Sequence, residues 1–274
     1  MQVIVLSKKK VIALILICLL IAAAIVAAIL VITSGAWKEE TVPTMAQTEV
    51  YELSTVPYLA KEVPVYAVAR EDKAVALTID AAWDADKTAT ILDTLDQYGI
   101  KATFFLCGVW VKAYPNMVKE IAEHGHVIGN HSMTHPHMNR LSEAEIEREL
   151  NDLDNAVYEI TGTHTTLFRA PFGEYNDTVV QTVRRLGYEV VQWDVDSVDW
   201  KEGRSEETIL QTIRSKMKNG SIILCHNNGY HIETYLPKLI EDAKAQGYAF
   251  VTIPELLPDG ERVIDGNGLC KAKQ

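Results

Sequence analysis

From residue 74 onward the chain alternates short β-rich runs with amphipathic stretches of helical period. The strand-like runs are AVALTID (74–80), KATFFLC (101–107), HVIGNHS (126–132), TLFRAP (166–171), YEVVQWDVD (188–196), SIILCHN (221–227) and YAFVTI (248–253). These seven β-then-α units predict a parallel sheet with helices outside it, because parallel strands need crossover connections. We therefore expect an α/β fold in which the sheet is either closed into a barrel or left open.

The helices between these runs carry their own start and stop signals. The clearest begins at Ser142, where Glu145 three positions later completes a capping box, and continues through EIERELNDLDNAVYEI (145–160). Glycines mark the helix ends just before or near a new strand: Gly99, Gly125, Gly162, Gly187, Gly220 and Gly247. This punctuation supports the alternating α/β pattern.

A long apolar run precedes the α/β region. Residues 11–32, VIALILICLLIAAAIVAAILVI, contain no charge, proline or glycine and are long enough to cross a bilayer. The run exceeds the apolar stretch of about 7 to 15 residues found in cleavable signal peptides, so we expect an uncleaved signal anchor. Lysines 8–10 precede it, which places the tail 1–10 in the cytoplasm. The sequence thus predicts a single-pass cell-membrane protein whose later residues are extracytoplasmic.

Composition sets the remaining boundaries. The 274 residues are 48% apolar and 23% charged, which is ordinary for one large globular domain or two small ones. We expect a stalk over residues 33–73 whose last residues pack on the domain, a domain over 74–256 and a C-terminal tail over 257–274. The net charge of −11 argues against a nucleic-acid partner, because phosphate backbones are bound by surplus Lys and Arg. No protein partner can be inferred from these features.

Unusual polar residues fall at or next to the carboxyl ends of the predicted strands. They are Asp80, His131, Arg169, Asp196 and His226. In barrels and open parallel sheets alike, those ends share one face, and that face holds the active site. Any single one could be a polar residue that merely ends a strand, but the five together predict a catalytic site.

Two of the histidines in GNHSMTHPH (129–137) have the spacing of metal ligands. His131 and His135 lie four positions apart, which on a tight loop or helical turn can aim both imidazoles at one point, as a zinc site requires. The alternative is a polar loop that happens to be rich in histidine. The strand-end residues favour the metal interpretation.

These segments resemble the ordered motifs of the polysaccharide deacetylase family, the NodB-homology carbohydrate esterases, over about residues 74–256. The matching motifs are Thr78-Ile79-Asp80-Ala81, His131-Ser132-Met133-Thr134-His135, Arg169-Ala170-Pro171-Phe172-Gly173, Asp196-Ser197-Val198-Asp199-Trp200 and Leu224-Cys225-His226. The stretch LTIDAAW, preceded by VYAVAREDK, looks most like the membrane-anchored, sporulation-type members. The resemblance implies a (β/α) barrel, distorted as in the family.

The resemblance also implies metal-dependent hydrolysis of an N-acetyl amide. His131 and His135 would bind a divalent metal, expected to be zinc, which lowers the pKa of a bound water and polarises the carbonyl. Asp80 would be the general base, kept ionised and oriented by Arg169. Arg169 could instead be only a salt bridge of the barrel.

Further residues are assigned by the same resemblance. The backbone N–H of Phe172 would stabilise the oxyanion. His226 would protonate the leaving amine, with Asp199 raising its pKa. Trp200 and Leu224 would line the pocket for the acetyl methyl group, although Trp200 could simply cover the core.

One position departs from the family pattern. Where most members carry a second aspartate as the third metal ligand, this chain has Ala81, which cannot bind a metal. Asp84 or Asp86 could supply the missing ligand, or water could occupy its place. Because catalytic zinc usually takes three protein ligands, we expect weaker metal binding or its loss.

The sequence therefore predicts a polysaccharide N-deacetylase that acts on an N-acetylated cell-wall glycan, either peptidoglycan or a chitin-like oligosaccharide. Ala81 leaves open an alternative, in which a degenerate enzyme binds wall glycan without turning it over. A zinc peptidase is disfavoured, because Met133 and Thr134 lie where the H-E-x-x-H motif has its glutamate.

Overall fold

The computed structural model describes residues 62–273. The predicted cytoplasmic tail, the apolar run 11–32 and the stalk up to residue 61 lie outside these residues. Between residues 62 and 273, no helix is both long and apolar enough to cross a membrane.

Eleven strands and eight α-helices form over the described residues. The strands are β1 (Ala67–Val68), β2 (Ala74–Ala81), β3 (Thr103–Leu106), β4 (Val127–Asn130), β5 (Leu167–Phe168), β6 (Glu189–Val190), β7 (Val195–Asp196), β8 (Ile222–His226), β9 (Ala249–Val251), β10 (Arg262–Ile264) and β11 (Leu269–Ala272). The helices are α1 (Thr88–Tyr98), α2 (Gly108–Ala113), α3 (Pro115–Glu123), α4 (Glu143–Thr161), α5 (Asp177–Arg185), α6 (Glu206–Lys216), α7 (Ile232–Ala245) and α8 (Ile253–Leu256). Short 3₁₀ helices cover Met138–Arg140 and Pro171–Gly173.

The main sheet is parallel and curled. Its strands run in the order β6-β5-β4-β3-β2-β8-β7, and β9 pairs with the start of β2. Strands β6 and β7 lie at opposite ends of this order, yet only residues 191–194 separate them. Because a chain of that length spans at most about 18 Å, the two edges of the sheet must approach each other. The predicted α/β architecture is confirmed as a curled half-barrel surrounded by helices.

The run 188–196, predicted as one strand, is two strands at opposite edges of the sheet. Val65 intervenes: its N–H donates to the carbonyl of Val190, and its own carbonyl accepts from the N–H of Gln192. The chain then crosses to β8, where the Asp194 carboxylate accepts hydrogen bonds from the Ser221 hydroxyl and the Ile222 N–H. The prediction was wrong here because an uninterrupted β-rich run does not reveal a change of partner strand.

A second, small sheet joins the two ends of the described chain. Strand β11 pairs in parallel with β1 and in antiparallel with β10, so that Ala67 lies opposite Leu269. Val65, Val68 and Cys270 are buried in one apolar cluster. The segment from residue 257, expected to be a tail, is therefore part of the packed fold.

Helix α4 shows how the helices cover the sheet. Its N-terminus has the predicted capping box, in which the Glu145 carboxylate accepts from the Ser142 N–H at 2.8 Å. Its buried side chains recur with helical spacing, at Ile146, Leu150, Leu153 and Val157. Burying each one stabilises the fold by roughly 1.5 to 3 kcal/mol. The polar face of the same helix stays in solvent.

Candidate active site

Arg169 and Asp80 form a buried ion pair at the carboxyl end of β2. The Arg169 guanidinium is fully buried, and its Nη1 donates to Asp80 Oδ1 at 2.6 Å and to the Thr78 hydroxyl at 2.9 Å. The rings of Phe105 and Trp193 lie against the guanidinium, at 4.1 and 5.4 Å from its central carbon. A buried charge needs such a partner, because desolvation of an unpaired ion costs several kcal/mol. The pair leaves Asp80 Oδ2 free on the cleft side.

His131 faces Asp80 and has a fixed tautomer. Its Nδ1 lies 2.8 Å from the backbone carbonyl of Arg169, which can only accept, so Nδ1 donates and Nε2 carries the lone pair. Nε2 is 3.6 Å from Asp80 Oδ2. Burial lowers the pKa of His131, so the ring is neutral at physiological pH. Two acceptors thus face each other across a short gap, an arrangement that suits a cation or a shared proton.

His135 lies beside His131 on a strained turn. Its φ of 58° is in the left-handed region, and its ring is 5.0 Å from that of His131 in an edge-to-face arrangement. Burial, with the neighbouring His131, lowers the pKa of His135 to about 4. Both imidazoles are therefore uncharged and able to bind a metal at neutral pH.

On β8, His226 is held by a buried carboxylate. Its Nδ1 lies 2.8 Å from Asp199 Oδ1, and its backbone N–H donates to Asp199 Oδ2 at 3.0 Å. The Tyr235 hydroxyl also donates to Asp199 Oδ2, at 2.7 Å. Burial opposes protonation of the imidazole, but the hydrogen bond that it donates to Asp199 and the charges of Asp199, Asp80 and Asp196 outweigh burial and raise the pKa of His226. Its Nε2 is left for a ligand.

These side chains line one cleft of about 480 Å³ at the carboxyl ends of the strands. The predicted site residues among its lining are Asp80, His131, His135, Phe172, Asp196, Trp200, Leu224 and His226. Arg169 and Asp199 lie buried behind Asp80 and His226. Leu224 is buried at the floor, whereas Phe172 and Trp200 are each 57% exposed. Phe172 has a left-handed φ of 59°.

The described residues do not complete a three-ligand metal site. Ala81 is fully buried and offers no donor, and Asp84 does not line the cleft. The backbone carbonyl of Asp84 accepts hydrogen bonds from Trp110 Nε1 and Asn227 Nδ2, both at 2.6 Å. Within residues 62–273, no three His, Cys, Asp or Glu side chains are grouped closely enough to hold a metal. The donor set therefore falls one ligand short of a catalytic zinc site.

Several residues that shape the site were missed by the sequence analysis. Trp83 and Trp193 line the cleft, and Tyr235 holds Asp199 from helix α7. Trp83 lies two residues after the first motif, and this proximity could have indicated its position. Tyr235 lies among the buried residues of α7, so it could not be distinguished from an ordinary core residue.

The curled parallel sheet and its strand-end cleft define an α/β protein with the active-site face of a (β/α) enzyme. The sequence profile described as polysaccharide deacetylase matches residues 67–191. The chain is 38% identical to a peptidoglycan-N-acetylglucosamine deacetylase of Bacillus cereus, covering 66% of this chain and 67% of that protein. It is 33% identical to the peptidoglycan-N-acetylmuramic acid deacetylase PdaA of Bacillus subtilis, covering 70% and 74%. The chain belongs to the polysaccharide deacetylase family.

A solved structure of similar fold is a CE4 family pseudoenzyme from Bacillus anthracis. It is 34% identical to this chain with a TM-score of 0.68, covering 71% of this chain and 69% of that one. A mutant of the same pseudoenzyme is described as having restored enzymatic activity. This chain is thus similar both to relatives named as deacetylases and to a protein described as a pseudoenzyme.

Proposed function

We propose that the protein is a hydrolase that removes N-acetyl groups from peptidoglycan. The observation that carries the proposal is the pairing, in one cleft, of a buried Asp80–Arg169 ion pair with a His226–Asp199 pair. Buried charges are costly, and a protein that only bound glycan would need neither pair. Deacetylation needs both a base and an acid.

In this proposal, Asp80 and His226 transfer the protons. Asp80 Oδ2 accepts a proton from the attacking water, while Oδ1 stays bound to Arg169. His226 donates a proton from Nε2 to the leaving amine, because its Nδ1 is held by Asp199. The Phe172 N–H would stabilise the oxyanion, and Leu224 with Trp200 would enclose the acetyl methyl group. Binding of zinc by His131 and His135 stays a prediction.

Peptidoglycan is proposed as the substrate because two of the relatives are named for deacetylating it. The proposed extracytoplasmic location supports peptidoglycan as the substrate. A signal anchor at residues 11–32 would hold the domain outside the membrane, near the wall. A chitin-like oligosaccharide carries the same N-acetyl group and would fit the same chemistry.

The second candidate is a glycan-binding protein that has lost turnover. It is favoured by Ala81, which removes the third metal ligand, and by the similarity to the Bacillus anthracis pseudoenzyme. In this case the cleft would still hold an N-acetylated sugar. The two candidates differ in a measurable product, which is acetate.

Acetate release from peptidoglycan by the full-length protein tests the choice. We expect release by the wild-type protein and a loss of at least about 100-fold in Asp80→Asn, because the base is removed. Asp93→Asn is the matched control, since Asp93 is an exposed aspartate on helix α1. Bound glycan with no acetate from the wild-type protein would instead establish the second candidate.

A further inference from the structure

Residues 62–68 run across the opening of the curled sheet. On one side, the Val65 carbonyl accepts a hydrogen bond from the Gln192 N–H at 2.7 Å, just after β6. On the other side, the Val68 N–H donates to the Gly220 carbonyl at 2.9 Å, two residues before β8. We call residues 62–68 the strap, because they join the β6 edge of the sheet to the strand beside its β7 edge.

The strap is closely packed against two glycines. A Cβ atom at Gly220 would lie 1.7 Å from the Val68 carbonyl oxygen, and one at Gly268 would lie 2.4 Å from the Tyr66 ring. Both distances are far below van der Waals contact, so glycine is needed where the backbone approaches the strap. Val65 is itself fully buried. The rest of the domain is therefore shaped to hold the strap in one position.

Arg184, at the end of helix α5, fixes the start of the strap. Its Nη1 pairs with the Glu62 carboxylate, and its Nη2 donates to the Val63 carbonyl at 2.9 Å. The next residue, Arg185, instead pairs with two glutamates of helix α4. Two adjacent arginines on one helix thus hold different partners, and they provide a matched pair of positions for an experiment.

Gln192 connects the strap to the buried ion pair of the cleft. Its N–H is bound to Val65, while its carbonyl accepts from Arg169 Nη2 at 3.2 Å. Among the described residues, Arg169 Nε has no hydrogen-bond partner. The guanidinium is otherwise held by the bonds of Nη1 to Thr78 and Asp80. A shift of Gln192 would therefore leave Arg169 anchored through Nη1 alone.

Packing gives a second connection between the strap and the ion pair. Val65 and Phe105 belong to one buried apolar cluster, and Trp193 packs against it. The Phe105 ring lies 4.1 Å from the central carbon of the Arg169 guanidinium, and the Trp193 ring lies 5.4 Å from it. Because close-packed interiors transmit small displacements, movement of Val65 would disturb the apolar surface on which the guanidinium rests.

We propose that the strap is a positioning element for the proposed base: through Gln192 and Arg169 it holds Asp80 in place. The inference rests on the proposed deacetylation and adds to it a segment outside the cleft. A displacement of about 1 Å at a reacting group can cost on the order of 100-fold in rate. Since none of the residues 62–68 lines the cleft, releasing the strap should lower kcat and leave KM nearly unchanged.

Arg184→Met in the full-length protein releases the start of the strap and leaves the cleft lining intact. We expect kcat for acetate release from peptidoglycan to fall about tenfold or more, with KM changed less than about twofold. Arg184→Lys should restore much of kcat, because it keeps a cation opposite Glu62. Val65→Pro, which removes the N–H donor, should lower kcat in the same way. Arg185→Met is the matched control and should keep the wild-type kcat.

Urea unfolding gives a readout that needs no turnover. Substitutions at distant, independent sites have additive effects on the free energy of unfolding, whereas substitutions at coupled sites do not. We expect Arg184→Met combined with Asp80→Asn to depart from additivity by about fivefold or more in the unfolding equilibrium constant. Arg185→Met combined with Asp80→Asn should depart by less than about twofold.

Two results would overturn the proposal. One is a wild-type kcat in both Arg184→Met and Val65→Pro. The other is additivity of Arg184→Met with Asp80→Asn in unfolding, because the strap would then not be coupled to the ion pair. If the wild-type protein releases no acetate, the proposed deacetylation fails, and the unfolding measurements alone decide whether the strap holds Asp80.

Discussion

Arg169 and His131 are linked through the main chain: the backbone carbonyl of Arg169 accepts a hydrogen bond from His131 Nδ1 at 2.8 Å. The side chain of the same arginine holds Asp80, and Asp80 faces the Nε2 of that histidine. One residue thus sets the tautomer of a potential metal ligand and the orientation of the proposed base. Displacing Arg169 would disturb both.

Arg169→Met should destabilise the protein strongly. The substitution leaves Asp80 buried without its cation, for which a cost of about 3 to 5 kcal/mol is expected. Arg185→Met is the control, because Arg185 pairs with Glu143 and Glu147 at the exposed surface, where solvent screens the ion pairs, and its loss should change stability little. Urea unfolding at neutral pH measures both. Equal losses in the free energy of unfolding would show that the buried ion pair stabilises the fold no more than the surface pairs do.

Asp199→Asn and Tyr235→Phe should move the pH profile of acetate release in opposite directions. The proposed acid is protonated His226, so activity falls as pH rises through its pKa, which Asp199 raises. Asp199→Asn removes that support and shifts the alkaline limb to lower pH. Tyr235→Phe removes a donor from Asp199, leaving a stronger acceptor for His226, and shifts the limb upward. Shifts of the same sign in the pH dependence of kcat/KM would refute this arrangement.

Ala81→Asp should increase zinc affinity by about tenfold or more, because it restores the aspartate of the family motif to a site with two imidazoles. Ala82→Asp is the matched control, which adds the same charge one residue further along, at the cleft lining. Zinc titration by calorimetry gives both affinities. Equal zinc affinities of the two variants would show that the missing ligand does not belong at position 81.

His126 should make the protein less stable at mildly acidic pH. Burial lowers its pKa to about 4, and its Nδ1 accepts a hydrogen bond from the Ala102 N–H at 3.2 Å. The unfolded chain takes up this proton near pH 6.5, before the folded one does, so stability is fully present above that pH and is lost as pH falls towards 4.

His126→Gln keeps an acceptor but does not titrate. It should reduce the stability lost between pH 6.5 and 4 by on the order of 2 to 3 kcal/mol relative to the wild-type protein. His164→Gln, at an exposed position, is the matched control. Unfolding by denaturant across this pH range measures the difference. A wild-type pH dependence retained in His126→Gln would contradict the prediction.

The sequence predicted the strands and site residues that follow from local sequence pattern. Runs of β-branched and aromatic residues located β2, β3, β4 and β8, and the parallel order then brought Asp80, His131 and His226 to one face. Contacts decided by distant residues could not be read in the same way. The hydrogen bonds of Val65 to Val190 and Gln192 divide a run that was predicted as one strand. Asp84 lies only two residues after Ala82, yet Ala82 lines the cleft and Asp84 does not.

The pairing of Ala67 with Leu269 has a consequence for how the domain is made. Strand β1 pairs in parallel with β11, about 200 residues later, so this small sheet cannot form until residue 269 has been synthesised. Closing so long a loop is slow relative to forming neighbouring contacts. The cleft-forming strands are therefore available to pair first, and the β1–β11 contact is the closing event that secures both ends of the domain.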